Sequence, residues 1–328
     1  MKRILFMAVV FFFLSALPLP VSCQESAQDI LKAVILVRAT IPDGARTANY
    51  LGTLRQGNGV VIDSNGLILT IGYVVLQAET IEVVGPDEKV VRATLVGQDF
   101  NSGLALIRAE ASIQVSPMRF GQSSAVKVDD PLLVASYAGP EAVQGARVVS
   151  RQEFVANWEY LLEDPIYTSP PFNDFAGAAL LDRDGRLVGI GSLFTGVYVP
   201  GNGKVPCNMF VPVDLINPIL ADLIAKGRPS EPPRPWLGIQ AGETPVGVAV
   251  MRVSPDGPGE KARVQPGDII LRVANQKVTG LADFYRKVWS LGGAGVDVPL
   301  SILRGSQIND VTLHSADRYA FLLIQPGK

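Results

Sequence analysis

One histidine, His314, and two cysteines, Cys23 and Cys207, are all that 328 residues offer for imidazole or thiolate chemistry. That shortage excludes a His/Cys zinc cluster and nearly every catalytic arrangement built on an imidazole base. No metal or other cofactor is expected. Charge is scarce too: charged residues make up 18% of the chain, against about 25% in an average soluble domain. The 29 basic and 31 acidic residues nearly balance, which argues against the basic surface that nucleic-acid phosphates require. After the first residues, no apolar run reaches the length of a membrane span. What is plentiful is apolar side chain, 48% of residues, together with 32 glycines and 24 prolines. Such a chain can bury a sizeable core and has many turns to join short strands.

The N-terminus reads as an address. Lys2 and Arg3 precede an apolar run from Ile4 to Leu19, broken by Ser15 and Pro18 and followed by Val21-Ser22-Cys23. A basic start, a short hydrophobic stretch and small residues describe a secretory signal over residues 1–23. Cleavage after Cys23 leaves Gln24 as the first mature residue. Lipid attachment at Cys23 is the competing reading, disfavoured because Pro20 stands where that signal prefers Leu. Either way the destination is the periplasm or cell envelope. Cys207 is then expected to be a lone thiol with no disulfide partner.

From Ala33 to Val211 short β-like runs alternate with Gly, Pro, Asn and Asp. Val60 to Leu69 reads as a hairpin turning at Asn65-Gly66, and Leu180 to Ile190 repeats the device at Asp184-Gly185. Val90 to Val96, Leu104 to Arg108, Leu132 to Ala135 and Met209 to Val211 are further strand candidates, a spacing that suggests an antiparallel sandwich or a pair of barrels. A helix is expected after Asn217 as cap, with Pro218 in the first turn and Gly227 at its end. Residues 227–235 hold four prolines in nine residues and form a semi-rigid linker. The division is therefore a signal at 1–23, a β domain at 24–226, the linker, and a smaller domain at 236–323. Few contacts are expected across the linker, so the smaller domain should fold alone.

Several motifs in order then resemble one family. Gln56-Gly57-Asn58-Gly59-Val60-Val61-Ile62 through Gly66-Leu67-Ile68-Leu69-Thr70 resembles the stretch before the catalytic His of HtrA/Deg serine proteases. Asp99 to Ile107 is similar to the stretch carrying their catalytic Asp, and Asp174 to Leu181 lies where their nucleophile loop belongs. Phe210-Val211-Pro212-Val213 resembles the end of their second barrel. Trp236-Leu237-Gly238-Ile239 and Val264-Gln265-Pro266-Gly267-Asp268-Ile269-Ile270 resemble the carboxylate loop and a core motif of a PDZ domain. The resemblance implies a mainly β fold, a chymotrypsin-like double β-barrel followed by a small α/β PDZ domain.

Within that resemblance the triad is missing. Tyr73 stands in the His position, Gly103 in the Asp position and Ala176 in the Ser position. A phenol is a poor general base at neutral pH. Asp174 replaces the glycine that gives an oxyanion-hole N–H, and its carboxylate opposes a developing negative charge. Other residues offer little in compensation. His314 reads as a solvated strand residue, Cys207 as a buried structural thiol, and a Ser192/Lys204 dyad is disfavoured because Gly201-Asn202-Gly203-Lys204 looks solvated. Tyr73 is read as filling the space of the imidazole. In the PDZ segment, Leu237, Gly238 and Ile239 are expected to hold a peptide's terminal carboxylate, with strand addition beside them. The helix from Leu281 to Trp289 forms the other wall, with Phe284, Tyr285 and Val288 as lining candidates.

The expected function is that of an exported HtrA/Deg-like pseudoprotease. It would bind unfolded polypeptides or protein C-termini without cleaving them, in a chaperone-like, regulatory or scaffold role. An active HtrA/Deg protease is a candidate partner, and the resemblance implies a trimer. The rivals are a serine endopeptidase using non-standard residues and a structural oligomer component using neither groove.

Overall fold

The computed structural model describes residues 27–322 apart from residue 138. The signal segment, Cys23 and Leu323 lie outside the described residues.

After a short helix α1 (Ala27–Leu31), the chain builds β1 (Val34–Thr40), helix α2 (Ala48–Leu51), β2 (Leu54–Val61), β3 (Leu67–Ile71), helix α3 (Gly72–Val75), β4 (Thr80–Val84), β5 (Val90–Gln98) and β6 (Leu104–Ala109). These strands close a six-stranded antiparallel barrel in the order β1-β2-β3-β6-β5-β4, with β4 returning to β1. The β-branched and leucine-rich runs that define the strands also fill it: Ile35, Val83, Ile68, Leu69, Leu106 and Ile107 are buried. The β2–β3 turn has a specific lock. Asp63 Oδ1 accepts the backbone N–H of Asn65 (2.8 Å) and of Leu67 (2.7 Å), an aspartate turn that sets the hairpin register.

Strands β7 (Pro131–Ala135) and β8 (Val143–Ser150) begin a second sheet. A small hairpin of β9 (Phe154–Ala156) and β10 (Tyr160–Leu162) interrupts it, and β11 (Ile166–Ser169), β12 (Ala179–Leu181), β13 (Leu187–Val199) and β14 (Gly203–Pro212) complete it. The sheet runs β11-β14-β13-β12-β7-β8, and β8 pairs with β11 as well as with β7. Its β12–β13 turn repeats the aspartate lock: Asp182 Oδ1 accepts from the N–H of Asp184 and of Arg186, both at 2.9 Å. Both turns expected from Asn-Gly and Asp-Gly are present. Helix α4 (Leu220–Lys226) starts later than the Asn217 cap predicts. Asp214, just upstream, accepts from Ser123 N (3.0 Å) and Ser124 N (2.9 Å), and residues 213–219 run as tight turns behind that anchor. Gly227 ends the helix in the left-handed conformation.

The C-terminal unit is a small α/β structure. Strands β15 (Ile239–Thr244), β16 (Gly247–Val253), β17 (Ile269–Val273), β18 (Gln276–Lys277), β19 (Asp297–Arg304) and β20 (Gln307–His314) pack against α6 (Leu281–Trp289), with α5 (Pro258–Lys261) between β16 and β17 and α7 (Arg318–Leu322) after β20. Its core holds Leu237, Ile239, Val250, Ile270, Phe284, Val288, Ile302 and Leu313. Asp268, buried in the Pro266-Gly267-Asp268 turn, meets Arg304 through two bonds of 2.7 Å and also accepts from Gln265 N. The molecule is mainly β, with a closed barrel first and a small α/β unit last.

Candidate functional site

Strand β3 ends at Ile71 and turns at once into α3, so Tyr73 leaves the barrel at its rim. Arg55, buried on β2, secures that turn. Its Nη1 donates to the carbonyls of Tyr73 (2.8 Å) and Leu76 (2.9 Å), and its Nη2 donates to Thr47 Oγ1 (2.8 Å). A cation thus satisfies carbonyls that so short a helix leaves open. The Tyr73 hydroxyl reaches across to β13 and donates to the Ser192 carbonyl at 2.8 Å. Burial pushes this phenol well above its ordinary pKa, so it remains a proton donor. Tyr73 ties the first barrel to the second sheet.

Gly103 sits at the end of the turn leading into β6. Its N–H donates to Asp99 O (2.8 Å), and the Asp99 carboxylate accepts from Asn101 N (3.0 Å) and Ser102 N (2.8 Å). The Gly103 carbonyl accepts from Gly72 N at 2.7 Å, which brings it beside Tyr73. The φ of Gly103 is +81°, a left-handed conformation that side chains resist. A Cβ placed there would lie 3.6 Å from the Tyr160 ring, and the Tyr160 hydroxyl donates to Ser102 O at 2.7 Å. An aromatic residue of β10 therefore lies within ordinary contact distance of a side chain at position 103.

Ala176 lies in the loop between β11 and β12, held from below by Asn58 of β2. Asn58 Nδ2 donates to Asp174 O (2.9 Å) and Ala176 O (3.0 Å), its backbone N–H donates to Ala176 O (2.7 Å), and its Oδ1 accepts from Tyr137 N (2.8 Å). A Cβ on Gly57 would come within 2.9 Å of both Ala176 O and Val74 Cγ2, a measure of how closely β2, α3 and this loop converge. The Asp174 side chain is exposed and Ala176 half-buried. Tyr73, Gly103 and Ala176 are thus neighbours at one rim. The one side-chain proton among them is committed to Ser192.

The remaining candidates lie elsewhere. His314 is on β20, its Nδ1 2.9 Å from Asp297 Oδ1, with both side chains exposed. Cys207 is buried in β14, and burial pushes its thiol up to about 11. The β13–β14 register pairs Lys204 with Tyr198, which places it about 20 Å along the strand from Ser192. Among the described residues no group of His, Cys, Asp and Glu is arranged to hold a metal.

The C-terminal unit is where the structure departs most from expectation. Leu237, Gly238 and Ile239 form the loop entering β15, as the motif predicts, but their outward N–H groups are already bonded. Leu237 N donates to Glu159 Oε2 at 2.9 Å and Ile239 N to Glu159 Oε1 at 3.0 Å. One step along the same edge, Ala241 N donates to Asn157 O at 2.9 Å. Phe284 and Val288 do not line an open groove: both are buried in the core, and Leu161 of β10 packs into that core with them. Burial pushes the Glu159 carboxyl up to about 7, against the N–H donors of Leu237 and Ile239 and the charge of Arg318, which favour the anion.

Contacts across the linker are also extensive, contrary to the sparse boundary expected from its prolines. Tyr285 of α6 donates to Ala156 O (2.8 Å), Arg286 pairs with Glu153, and Arg46 donates to Pro255 O (3.0 Å). The Tyr319 ring packs edge-on against Phe100 at 4.6 Å. Prolines exclude regular hydrogen bonding from the linker itself but do not prevent the flanking surfaces from packing. Glu159, Asn157 and Tyr160 were not among the residues singled out from sequence, and Asn58 was named only as part of the Gln56–Ile62 motif.

Comparison with known proteins matches residues 57–190 to a trypsin-like peptidase domain and residues 235–314 to a PDZ domain. A probable periplasmic serine protease do/HhoA-like of Haemophilus influenzae is 27% identical over 82% of this chain and 59% of its own length. A probable periplasmic serine endoprotease DegP-like of Pseudomonas putida is 28% identical over 78% of this chain and 55% of its own. Protease Do-like 1, chloroplastic, of Arabidopsis thaliana is 28% identical over 79% and 63%. The chain therefore spans less than two thirds of the length of these relatives. Among solved structures, the HtrA-type protease AlgW with decapeptide has a TM-score of 0.54 at 21% identity, covering 89% of this chain and 99% of that one. The serine endoprotease from Yersinia pestis has a TM-score of 0.52 at 23% identity, covering 89% and 98%.

Proposed function

We propose that this chain, an HtrA/Deg-family protein in which a trypsin-like domain precedes a PDZ domain, binds polypeptides without cleaving them. It is an exported protein of the periplasm or cell envelope, as the periplasmic relatives and its own N-terminal signal pattern agree. Its first two sheets are read as the two barrels of a chymotrypsin-like fold, with the cleft between them at Tyr73 and Ser192. The observation that carries the proposal is the Tyr73 hydroxyl donating to Ser192 O at 2.8 Å, in the position where a peptidase needs a proton acceptor. Gly103 supplies no orienting carboxylate and Ala176 no nucleophile. The PDZ loop at Leu237–Ile239 keeps the backbone donors that hold a terminal carboxylate. The ligand class is unfolded polypeptides or protein C-termini, in a chaperone-like, regulatory or scaffold role, with an active HtrA/Deg protease as a candidate partner.

A second reading, an endopeptidase working through other residues, is favoured by the relatives, each of which is named as a protease. Incubating the mature protein with labelled casein and with a fluorophosphonate probe separates the two. The expected outcome is no turnover and no labelling. Loss of a triad leaves at most about 10³–10⁴-fold catalysis over water even with an intact oxyanion hole. Casein cleavage that a point substitution in this chain abolishes would establish the second reading instead.

A further inference from the structure

The outer edge of β15 and the loop that enters it carry three outward N–H groups, on Leu237, Ile239 and Ala241, spaced two residues apart as a strand edge requires. An added peptide strand needs these donors: the first two for a terminal carboxylate, the next for a main-chain carbonyl. In this protein all three are taken by the turn between β9 and β10. The two Glu159 carboxylate oxygens accept from Leu237 and Ile239, and the Asn157 carbonyl accepts from Ala241. The opposite wall closes on the same turn. The Tyr285 hydroxyl of α6 donates to Ala156 O at 2.8 Å and accepts from Glu159 N at 3.2 Å. Leu161 fills apolar space with Leu237, Phe284 and Val288. Glu159 itself has φ +57°, the left-handed conformation of a tight turn.

We propose that the protein's own β9–β10 turn occupies its PDZ groove, with Glu159 in place of a ligand's terminal carboxylate, so that a C-terminal peptide binds only by displacing it. The proposal rests on the reading of this groove as a site for peptide C-termini. The competing groups match in kind, carboxylate for carboxylate and carbonyl for carbonyl, so a peptide and the turn cannot be bound together. The apparent affinity for peptide is then the intrinsic affinity reduced by the fraction of molecules in which the turn has let go. Tyr160, the next residue, donates to Ser102 O, so the turn that occupies the groove is also tied to the first barrel.

The test uses the full mature chain as wild type, Glu159→Ala and the size-conserving Glu159→Gln. Fluorescein-labelled decapeptides ending in Val, Leu, Ile or Phe, as free acids and as amides, are titrated by anisotropy. Hydrogen exchange is followed over the Leu237–Ala241 amides. The expected result is slow exchange there in wild type and faster exchange in both variants. Free-acid peptides should bind Glu159→Ala about tenfold or more tighter than wild type, with the gain lost on amidation. Equal exchange in wild type and both variants, or equal free-acid affinity for wild type and Glu159→Ala, would overturn the proposal. Faster exchange in the variants with no peptide bound by any protein would uphold occupancy of the groove by the turn. The ligand reading would then be the part that fails.

Discussion

At the scale of single residues, burial and hydrogen bonding set what the side chains at the barrel rim can do. Tyr73 holds its proton because burial disfavours phenolate, and it spends that proton on Ser192 O. The Glu159 carboxyl is raised from 4.5 to about 7, chiefly by burial. The groups facing it are Arg318 of α7, the Tyr285 hydroxyl of α6 and the N–H donors of Leu237 and Ile239. A docked Glu159 binds its proton more tightly than a released one. Docking therefore has its full proton-linked stabilisation below pH 4.5 and loses it as pH rises through 7, at up to about 1.4 kcal/mol per pH unit. The peptide's own carboxylate is ionised throughout that window. Free-acid peptides should thus bind wild type progressively more tightly from pH 5 to pH 8, whereas Glu159→Gln should show a flat profile. Parallel profiles for the two proteins would refute this assignment.

At the scale of elements, short loops do most of the positioning. The two aspartate-locked hairpins, at Asp63 and Asp182, use the same two bonds to register their strands. The β9–β10 hairpin is of a different kind. Its own ladder is three residue pairs long, too short to stand alone, and it is held by what it touches on each side. Tyr160 anchors the barrel side through Ser102 O and stacks with Trp158 at 6.2 Å. Tyr160→Phe should cost about 1 kcal/mol, the net worth of one hydrogen bond. Tyr160→Ala should cost about 3–5 kcal/mol, since it also empties a buried ring's volume. Urea unfolding of the two variants checks both figures. A Tyr160→Ala cost no greater than that of Tyr160→Phe would show that the ring fills no space that matters.

At the scale of the whole molecule, the sheets and the C-terminal unit act as one packed body. Helix α7 and the residue before it contribute Tyr319 against Phe100, Asp317 to Arg228 at 2.8 Å, and Phe321 beneath both Arg46 and Trp236. With Glu159 and Tyr285 added, the boundary at the proline linker is crossed by apolar, ionic and main-chain contacts. Calorimetry of the wild-type chain should therefore show a single cooperative transition. A Glu159→Ala/Tyr319→Ala double variant should separate it into two, the β sheets and the C-terminal unit melting in turn. Two resolved transitions already present in wild type would mean that these contacts do not couple the units.

Much of this protein was determined by local sequence. The hairpins follow from Asp-x-Asn-Gly and Asp-x-Asp-Gly because a turn is settled by its own few residues. Helix α6, from Leu281 to Trp289, lies where the resemblance to a PDZ domain puts the second wall of its groove, and the motifs that resemble a peptidase keep their order along the chain. The occupied groove was not legible for a physical reason. Its donors are backbone N–H groups, which every non-proline residue carries and which no side-chain pattern marks. Its acceptor, Glu159, lies 78 residues before Leu237 in a turn with no distinctive signature. Likewise residue 103 is legible as a glycine, but only packing brings the Tyr160 ring within 3.6 Å of where its Cβ would lie. Residue identity decided which groups are available, and the tertiary structure decided which of them meet, because those bonds form only after distant surfaces have been brought together.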